Sequence, residues 1–458
     1  MANPEKSTDV VYDSRTLGRP KQFILGVQHL FAMFGATVLV PALTGLDVAN
    51  ALLFAGIGTL LFHLITGRKI PAFLGSSFAF IGGYNAIRTL ADGSVDDTLL
   101  PYACFGVACA GLVYLVVSLL FKVFGAKKVM RYFPPIVTGP IIICIGMTLA
   151  GSAVNNCETN WLIALVAILI VVVCNIWGKG MIKIIPILLG VVGSYIFAMI
   201  VDPASRAYLV QKVSEADWIG LPIVWEKTAF SVFGHNFDGS MLVTAIVTIM
   251  PISLATLMEH VGDICAISST VGKNFVNEPG LHRTLLGDGL ATTVASLFGA
   301  PANTTYGENT GVLALSKVYD PKVVRLAAVF AIVLSFCPKF SALIVAMPAA
   351  TMGGVSLVLY GMISAVGVRN VVENQVDFTK SRNVLIAAMI MGLAIGVSYS
   401  AAGSISFNIG SITVSLSGLA VAALVGIVMN AILPGKDYEF GANAQGDTSV
   451  NFGTRAHG

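Results

Sequence analysis

The chain has 458 residues, of which 56% are hydrophobic and 11% charged, and its formal net charge is +3 at pH 7. Because soluble domains carry about 25% charged residues, this composition excludes an ordinary soluble protein. The chain begins Met1-Ala2-Asn3-Pro4 without a short apolar core and a cleavage site, so we expect no removable signal peptide. The seven cysteines are odd in number and mostly lie in apolar stretches, which favours small buried side chains over a disulfide or metal framework.

Fourteen apolar segments follow in chain order, each compared with the ~20 residues that a spanning helix needs. The first seven lie at about 22–43, 48–66, 73–90, 101–121, 134–151, 160–177 and 184–201. The second seven lie at about 240–266, 283–299, 303–316, 322–338, 341–366, 384–400 and 411–433. A polar stretch at 202–238, with Trp218 and Trp225 suited to a membrane interface, separates the two sets. A polar tail at 434–458 closes the chain.

The basic residues test this map, since they accumulate in cytoplasmic loops. Of the 27 Lys and Arg residues, five fall in loops opposite the N-terminus, and the other 22 (27 minus five) fall on its side. Those five are Arg88, Arg206, Lys212, Lys227 and Lys339. We therefore predict a multi-pass protein of the cell membrane with both termini in the cytoplasm.

Two glycine-broken segments occupy matching positions in the two halves. With seven segments in each half, any structural repeat between the halves must be inverted in the membrane. Residues 74–83 of the first half (LGSSFAFIGG) and 303–311 of the second (NTTYGENTG) are both short and interrupted by glycine. Irregular backbone survives in a bilayer only where protein buries it or water lines it. Small residues in one segment could simply serve helix packing, but a matched pair favours a binding site.

Four acidic residues fall within the predicted spans: Glu259, Asp263, Asp288 and Glu308. Carboxylates are costly in a membrane and usually serve a substrate, ion or proton site. Glu259 and Asp263 share one helix face, and two such close carboxylates favour a bound proton on one of them. Asp288 could equally be a lone carboxylate bonded to backbone or hydroxyl groups. His260 lies about 100° round the helix from Glu259, so we do not assign it as the proton carrier.

The polar groups in the spans indicate what kind of solute would bind. No Lys or Arg lies well inside a span, so an anion would depend on helix dipoles alone. A neutral, planar solute with several N–H and C=O groups fits better, with Phe78, Tyr306 and Tyr360 as flat walls. No nucleotide-binding loop, nucleophile elbow or metal-ligand cluster occurs, which favours a proton-driven secondary transporter over a pump or an enzyme. We expect no cofactor, no metal and no nucleic-acid partner.

Five motifs together resemble the nucleobase–ascorbate transporter family (nucleobase:cation symporter-2), and within it the bacterial uracil–proton symporters. They are residues 71–80 (PAFLGSSFAF), 259–263 (EHVGD), 280–283 (GLHR), 303–311 (NTTYGENTG) and 353–361 (GGVSLVLYG). The resemblance extends from about Gly18 to Leu433, and the TTYGEN run is the feature most specific to the uracil branch.

The resemblance implies an all-α membrane fold of two inverted seven-segment repeats, with short antiparallel strands in segments three and ten. A core domain would comprise 15–131 and 239–339, a gate domain 132–201 and 340–433, and an outer loop 202–238. Glu259 and Glu308 would accept hydrogen bonds from uracil N–H groups, and the backbone N–H groups of Phe78 and Gly307 would meet its carbonyls. Ala36, Ser77, Tyr306 and Tyr360 would line the pocket. The family also implies a homodimer through the gate domain.

Two departures from the uracil branch leave alternatives open. Asp263 stands where the uracil transporters carry a histidine that takes part in proton coupling, and Asp263 with Asp288 resembles the purine and xanthine branch. Ser316-Lys317 replaces the family's threonine and basic residue, whereas Glu308-Asn309 favours uracil. We therefore predict uracil–proton symport with coupling among Glu259, Asp263, Asp288 and Glu308. The alternatives are a purine or xanthine symporter and, against the evidence of the two glutamates, an anion carrier of the same fold.

Overall fold

The computed structural model describes residues 10–90, 94–234, 237–409, 412–436 and 438. The first half contains α1 Arg19–Thr44, α2 Val48–Ile65, β1 Leu74–Ser76, α3 Ile81–Arg88, α4 Leu100–Phe124, α5 Ala126–Met130, α6 Pro135–Glu158, α7 Trp161–Trp177, α8 Met181–Ile184, α9 Pro186–Val201 and α10 Pro203–Glu215. The second half contains α11 Gly239–Ile249, α12 Ser253–Val271, α13 Leu281–Leu297, β2 Asn303–Thr305, α14 Gly307–Ser316, α15 Pro321–Ser335, α16 Pro338–Val345, α17 Ala349–Glu373, α18 Ser381–Ser398, β3 Ser404–Ile409, β4 Ile412–Ser417 and α19 Gly418–Ile432. The predicted tail lies outside these residues except for 434–436 and 438.

The protein is a mostly helical membrane protein. Within the described residues, seven helical spans are long and apolar enough to cross a membrane, one of them formed by α11 and α12 together. The number rises to nine if two bent pairs, α9 with α10 and α15 with α16, each count as one span. Two shorter apolar helices, α7 and α19, add to these.

Several predicted segments are broken differently from the expectation. The segment predicted at 341–366 is interrupted before α17, because Pro348 cannot continue the preceding helix, and α16 instead bends by 87° from α15. The predicted boundary between the core domain and the gate domain, at 339/340, therefore falls inside α16. The segment predicted at 240–266 is broken at a 3-10 turn, Met250–Ile252, which contains Pro251.

Two other regions contain secondary structure that the sequence analysis did not predict. The polar stretch at 202–238 holds the 13-residue α10, which bends by 113° from α9, and two 3-10 helices, Trp225–Lys227 and Ala229–Phe233. The segment predicted at 411–433 begins as β4, which pairs antiparallel with β3, and becomes helical only at α19. Alternating serines and β-branched residues in 404–417 suit a hairpin better than a helix.

The helices pack closely through small residues. The longest shared face lies between α6 and α17: a Cβ atom at Gly146 would lie 2.1 Å from the carbonyl oxygen of Tyr360, and one at Gly353 would lie 2.6 Å from the backbone nitrogen of Cys157. Such close backbone approach is how helices associate where lipid gives no hydrophobic driving force. Helix α4 packs on α13, and α2 packs on both α13 and α15; the two short strands contact α2 and α13.

The N-terminal segment crosses the ends of α12 and α14. Val11 forms a parallel bridge with Val318, and the hydroxyl of Tyr12 donates to the carbonyl oxygen of Val271 at 2.9 Å. The buried carboxylate of Asp320 accepts from the backbone N–H and the hydroxyl of Ser14 at 2.8 and 2.7 Å. The same carboxylate caps α15, so one side chain fixes both the N-terminal segment and a helix start.

Candidate functional site

The two glycine-broken segments meet as an antiparallel pair of three-residue strands, as predicted. In β1 and β2, Leu74 pairs with Thr305, Gly75 with Thr304 and Ser76 with Asn303. The backbone N–H of Ser77 donates to Ala302 at 2.8 Å and that of Tyr306 donates to Phe73 at 3.0 Å, which extends the pairing beyond the strands. All six strand residues are buried. We refer to residues 73–78 and 302–308 together as the strand junction.

Side chains from neighbouring helices satisfy the outer edges of these strands. Thr59 on α2 donates to the carbonyl of Leu74 at 3.2 Å and accepts from its N–H at 2.9 Å. Thr292 on α13 makes the same two contacts with Asn303, at 3.0 and 3.2 Å. Two short strands expose edge groups that a membrane cannot satisfy, so a threonine on each side replaces a missing neighbouring strand.

The side chain of Tyr306 packs against the strand junction. Its hydroxyl donates to the carbonyl oxygen of Ser76 at 2.9 Å and accepts from Thr37 on α1 at 3.3 Å. A Cβ atom at Gly75 would lie 2.4 Å from the tyrosine ring, so the strand needs glycine there for the ring to pack. Tyr306 is only 3% exposed, which makes it a structural part of the junction as well as a candidate wall of the pocket.

Two backbone N–H groups lie just past the ends of the strands. Among the described residues, the backbone nitrogens of Phe78 and Gly307 donate no hydrogen bond. Gly307 is the first residue of α14, where a helix leaves its N–H groups unsatisfied. Gly307 is exposed, and apart from its chain neighbours and its own helix no described atom lies within 4 Å of the position of its Cβ, so there is open space beside this residue.

Three carboxylates from α12 and α14 interact with one another near β2. Glu259 and Asp263 on α12 and Glu308 on α14 are each half-buried. The hydroxyl of Thr305 donates to Asp263 at 2.7 Å, which joins α12 directly to β2. The charges of Asp263, Asp288 and Glu308 all act on Glu259, so the four predicted carboxylates form one electrostatic group. The sequence had no signal for the Thr305 contact, since α12 and β2 are far apart in the chain.

Asp288 is not a lone carboxylate. Its Oδ2 atom lies 2.9 Å from Nδ1 of His260, and both side chains are fully buried. The sequence analysis set His260 aside because it points away from Glu259 on the same helix. The position of His260 round its own helix could not indicate that Asp288 on α13 lies next to its imidazole.

The remaining predicted lining residues lie together in one apolar cluster. Ala36, Phe78, Tyr306 and Tyr360 are all buried in it, and the rings of Phe78 and Tyr360 meet edge to face with 5.7 Å between centroids. The hydroxyl of Ser77 is buried without a hydrogen-bond partner among the described residues.

A further contact near Glu308 was not predicted. The side-chain amide of Asn309 donates to the carbonyl oxygen of His29 on α1 at 2.9 Å. This bond ties the first turn of α14 to α1. Within the described part of the chain, no group of three or more His, Cys, Asp or Glu side chains is arranged to hold a metal ion.

Solved structures of similar shape show the fold. The transmembrane domain of the cyanobacterial bicarbonate transporter BicA matches with a TM-score of 0.55 and 15% identity, covering 92% of this chain and all of that one. The murine anion transporter SLC26A9, in an inward-facing state, matches with a TM-score of 0.58 and 11% identity, covering 93% of this chain and 73% of that one. At these identities the likeness concerns the fold alone.

Sequence comparison shows the family. A model described as a permease family (Xan_ur_permease) matches residues 20–403. A uracil permease of Bacillus caldolyticus is 40% identical over 435 residues, which cover 93% of this chain and 94% of that protein. A uracil permease of Escherichia coli K12 is 38% identical over 422 residues, which cover 89% and 90%. The chain therefore belongs to this permease family, the nucleobase–ascorbate (nucleobase:cation symporter-2) family, and is a membrane transporter rather than an enzyme.

Proposed function

We propose that this chain is a secondary transporter that imports uracil across the cell membrane by proton symport. The uracil permeases of B. caldolyticus, B. subtilis and E. coli are 37 to 40% identical to it over about nine-tenths of its length. The observation that carries the site assignment is the strand junction: it ends in two backbone N–H groups without a hydrogen bond among the described residues, and its Thr305 bonds to Asp263.

This arrangement suits the polar edge of a uracil ring. Uracil presents two N–H groups and two carbonyl oxygens in one plane. Glu259 and Glu308 would accept from the N–H groups, and the backbone nitrogens of Phe78 and Gly307 would donate to the carbonyls. The edge-to-face pair of Phe78 and Tyr360 would close the apolar side of the ring, with Ala36, Ser77 and Tyr306 completing the pocket.

Proton coupling would involve the electrostatic group formed by Glu259, Asp263, Asp288 and Glu308. Carboxylates that act on one another in a poorly solvated site cannot all be ionised without a large cost, so at least one of them would hold a proton. Asp263 is joined to β2 through Thr305, so its protonation would alter a contact that supports the strand junction.

The architecture would be the family's two inverted repeats with fourteen segments. The seven long spans, α9 and α15, the two shorter apolar helices, α13 and the two strand–helix segments would make up that number. The core domain (15–131 and 239–339) would move against the gate domain (132–201 and 340–433) in alternating access. We place 202–238 outside, both termini in the cytoplasm and a homodimer contact on the gate domain.

The anion and purine alternatives predict different chemistry at the same place. The solved structures of similar fold include bicarbonate and anion transporters, but two glutamates beside a solute would repel an anion. Asp263 and Asp288 are the residues that favour a purine or xanthine, whereas the named relatives favour uracil.

The test is uptake of radiolabelled uracil into proteoliposomes, with and without an inward proton gradient and with excess xanthine or bicarbonate. We expect uptake that the gradient stimulates and that neither competitor reduces. Uptake that xanthine blocks would assign the chain to the purine branch, and absence of uracil uptake would refute the proposal.

A further inference from the structure

One buried pair of titratable side chains joins α12 to α13 and contributes no group to the proposed solute contacts. Nδ1 of His260 and Oδ2 of Asp288 are 2.9 Å apart, with both side chains at 0% exposure. Neither ring nitrogen of His260 and neither carboxylate oxygen of Asp288 makes a hydrogen bond of good geometry among the described residues, so the close contact between the two side chains is an ion-pair contact. Because an uncompensated buried charge is very costly, the two groups depend on each other and on a proton.

Acidic and phenolic groups face this pair from the neighbouring helices. On α12, the charges of Glu259 and Asp263 interact with Asp288. On α4, the hydroxyl of Tyr114 donates to Thr256 at 2.6 Å. The same phenol group interacts electrostatically with Asp288.

The other packed helices contribute mainly apolar surface. On α2, the ring of Phe62 meets the imidazole of His260 edge to face at 6.3 Å. The next residue, His63, points elsewhere, since its ring nitrogens contact the carbonyl of Ala72 at 2.8 Å and Arg325 at 3.4 Å. Helix α19 has no Asp, Glu, His, Lys or Arg, and α6 has only Glu158, at its last position. Glu308 on α14 interacts electrostatically with Glu259, the residue that precedes His260.

The net charge of the pair of His260 and Asp288 depends on one proton. A neutral imidazole beside an ionised carboxylate carries one net negative charge, and one added proton makes the pair neutral overall. That proton can lie on the imidazole or on the carboxyl group with the same total charge. In an apolar environment near other carboxylates, the neutral pair is the less costly state, so the pair is suited to take up one proton.

We propose that His260 and Asp288 form a proton-binding pair that is loaded and unloaded during transport without touching the solute. This inference rests on the proposed proton symport and assigns His260 as the partner of Asp288, the one member of the coupling group on α13. His260 directly follows Glu259, whose side chain points about 100° away round α12. A change in the pair's charge therefore acts electrostatically on Glu259. It also alters the contact by which α12 packs on α13. His260 is a positioning residue in this scheme rather than a binding residue.

The experiment compares His260→Asn and Asp288→Asn with the unmodified protein in proteoliposomes. Asparagine at 260 keeps an N–H donor near the position of Nδ1 but takes up no proton, and asparagine at 288 keeps the carboxylate's shape without its charge. In His260→Asn we expect uracil exchange at equal pH on both sides to remain within about 3-fold, and in both variants we expect gradient-driven accumulation to fall by about 10-fold or more. The pH dependence of uptake between about pH 5 and 8 should flatten in both variants.

The matched control is His63→Asn, which removes a buried imidazole on the adjacent helix outside the pair. It should keep both the stimulation by the gradient and the pH profile. Accumulation and pH dependence in His260→Asn and Asp288→Asn equal to those of the unmodified protein would overturn the proposal. Loss of exchange together with accumulation in His260→Asn would also overturn it, because it would mark His260 as a requirement for folding or binding. If the unmodified protein itself shows no response to the gradient, the proposed symport fails, and the inference fails with it.

Discussion

Gly75 offers the most direct test of how tightly the strand junction is packed. In a Gly75→Ala variant, the new Cβ would lie 2.4 Å from the Cε2 and Cζ atoms of Tyr306 and 2.7 Å from Oγ1 of Thr37. Non-bonded carbon atoms normally pack at about 3.5–4.0 Å, so the overlap exceeds 1 Å by this estimate. The ring cannot retreat freely, because its hydroxyl is bonded to the carbonyl oxygen of Ser76 at 2.9 Å.

Two costs determine the expected effect. Forcing extra volume into a packed interior typically costs about 1–3 kcal/mol. Displacing the tyrosine ring also weakens its bonds to Ser76 and Thr37, each worth about 1 kcal/mol net. We therefore expect a destabilisation on the order of 2–4 kcal/mol, concentrated at the junction. Because Gly307 and Glu308 directly follow Tyr306, uracil uptake should fall together with stability.

The assay is thermal unfolding of the purified protein in detergent, followed by uptake in proteoliposomes. Gly82→Ala is the matched control: it lies in α3, on the same glycine-broken segment, and no atom lies within 4 Å of the position of its Cβ. Alanine is the better helix former, so this control should unfold at the same temperature or slightly higher. If Gly75→Ala matches Gly82→Ala in both unfolding temperature and uptake, the packing argument is wrong.

Three further variants test separate contacts. Glu308→Gln places an amide donor against a solute N–H and should weaken uracil binding by about 1.5–3 kcal/mol in a scintillation proximity assay; unchanged affinity would remove Glu308 from the site. Thr305→Val keeps the side-chain shape but removes the 2.7 Å bond to Asp263, so it should change the pH profile of uptake more than the unfolding temperature; an unaltered pH profile would separate Asp263 from coupling. Asp320→Ala removes a helix cap and both bonds to Ser14 and should cost about 1–3 kcal/mol. Faster trypsin cleavage in the N-terminal segment would show this loss, and a cleavage rate like that of the unmodified protein would contradict it.

The sequence by itself determined the class of the protein and the location of its unusual backbone. Apolar segments long enough for a membrane depend on local composition, and so do glycine-broken stretches such as 303–311. The two strands formed where the sequence placed them, and the family resemblance carried by the five motifs is confirmed. Local sequence was a weaker guide where prolines or hairpins interrupt apolar runs, as at Pro348 and in 404–417. There the apolar character is the same for a straight helix, a bent pair or a strand.

Only the tertiary structure decided which polar groups meet. Thr305 reaches Asp263, Thr59 and Thr292 complete the strand edges, and His260 reaches Asp288, each across different elements of the chain. A side chain's direction round its own helix is local, but the identity of its partner depends on how the helices pack. Burial makes those partners matter, because a buried charge or strand edge without one would destabilise the fold by several kcal/mol, on the order of 2–7 for a polar group.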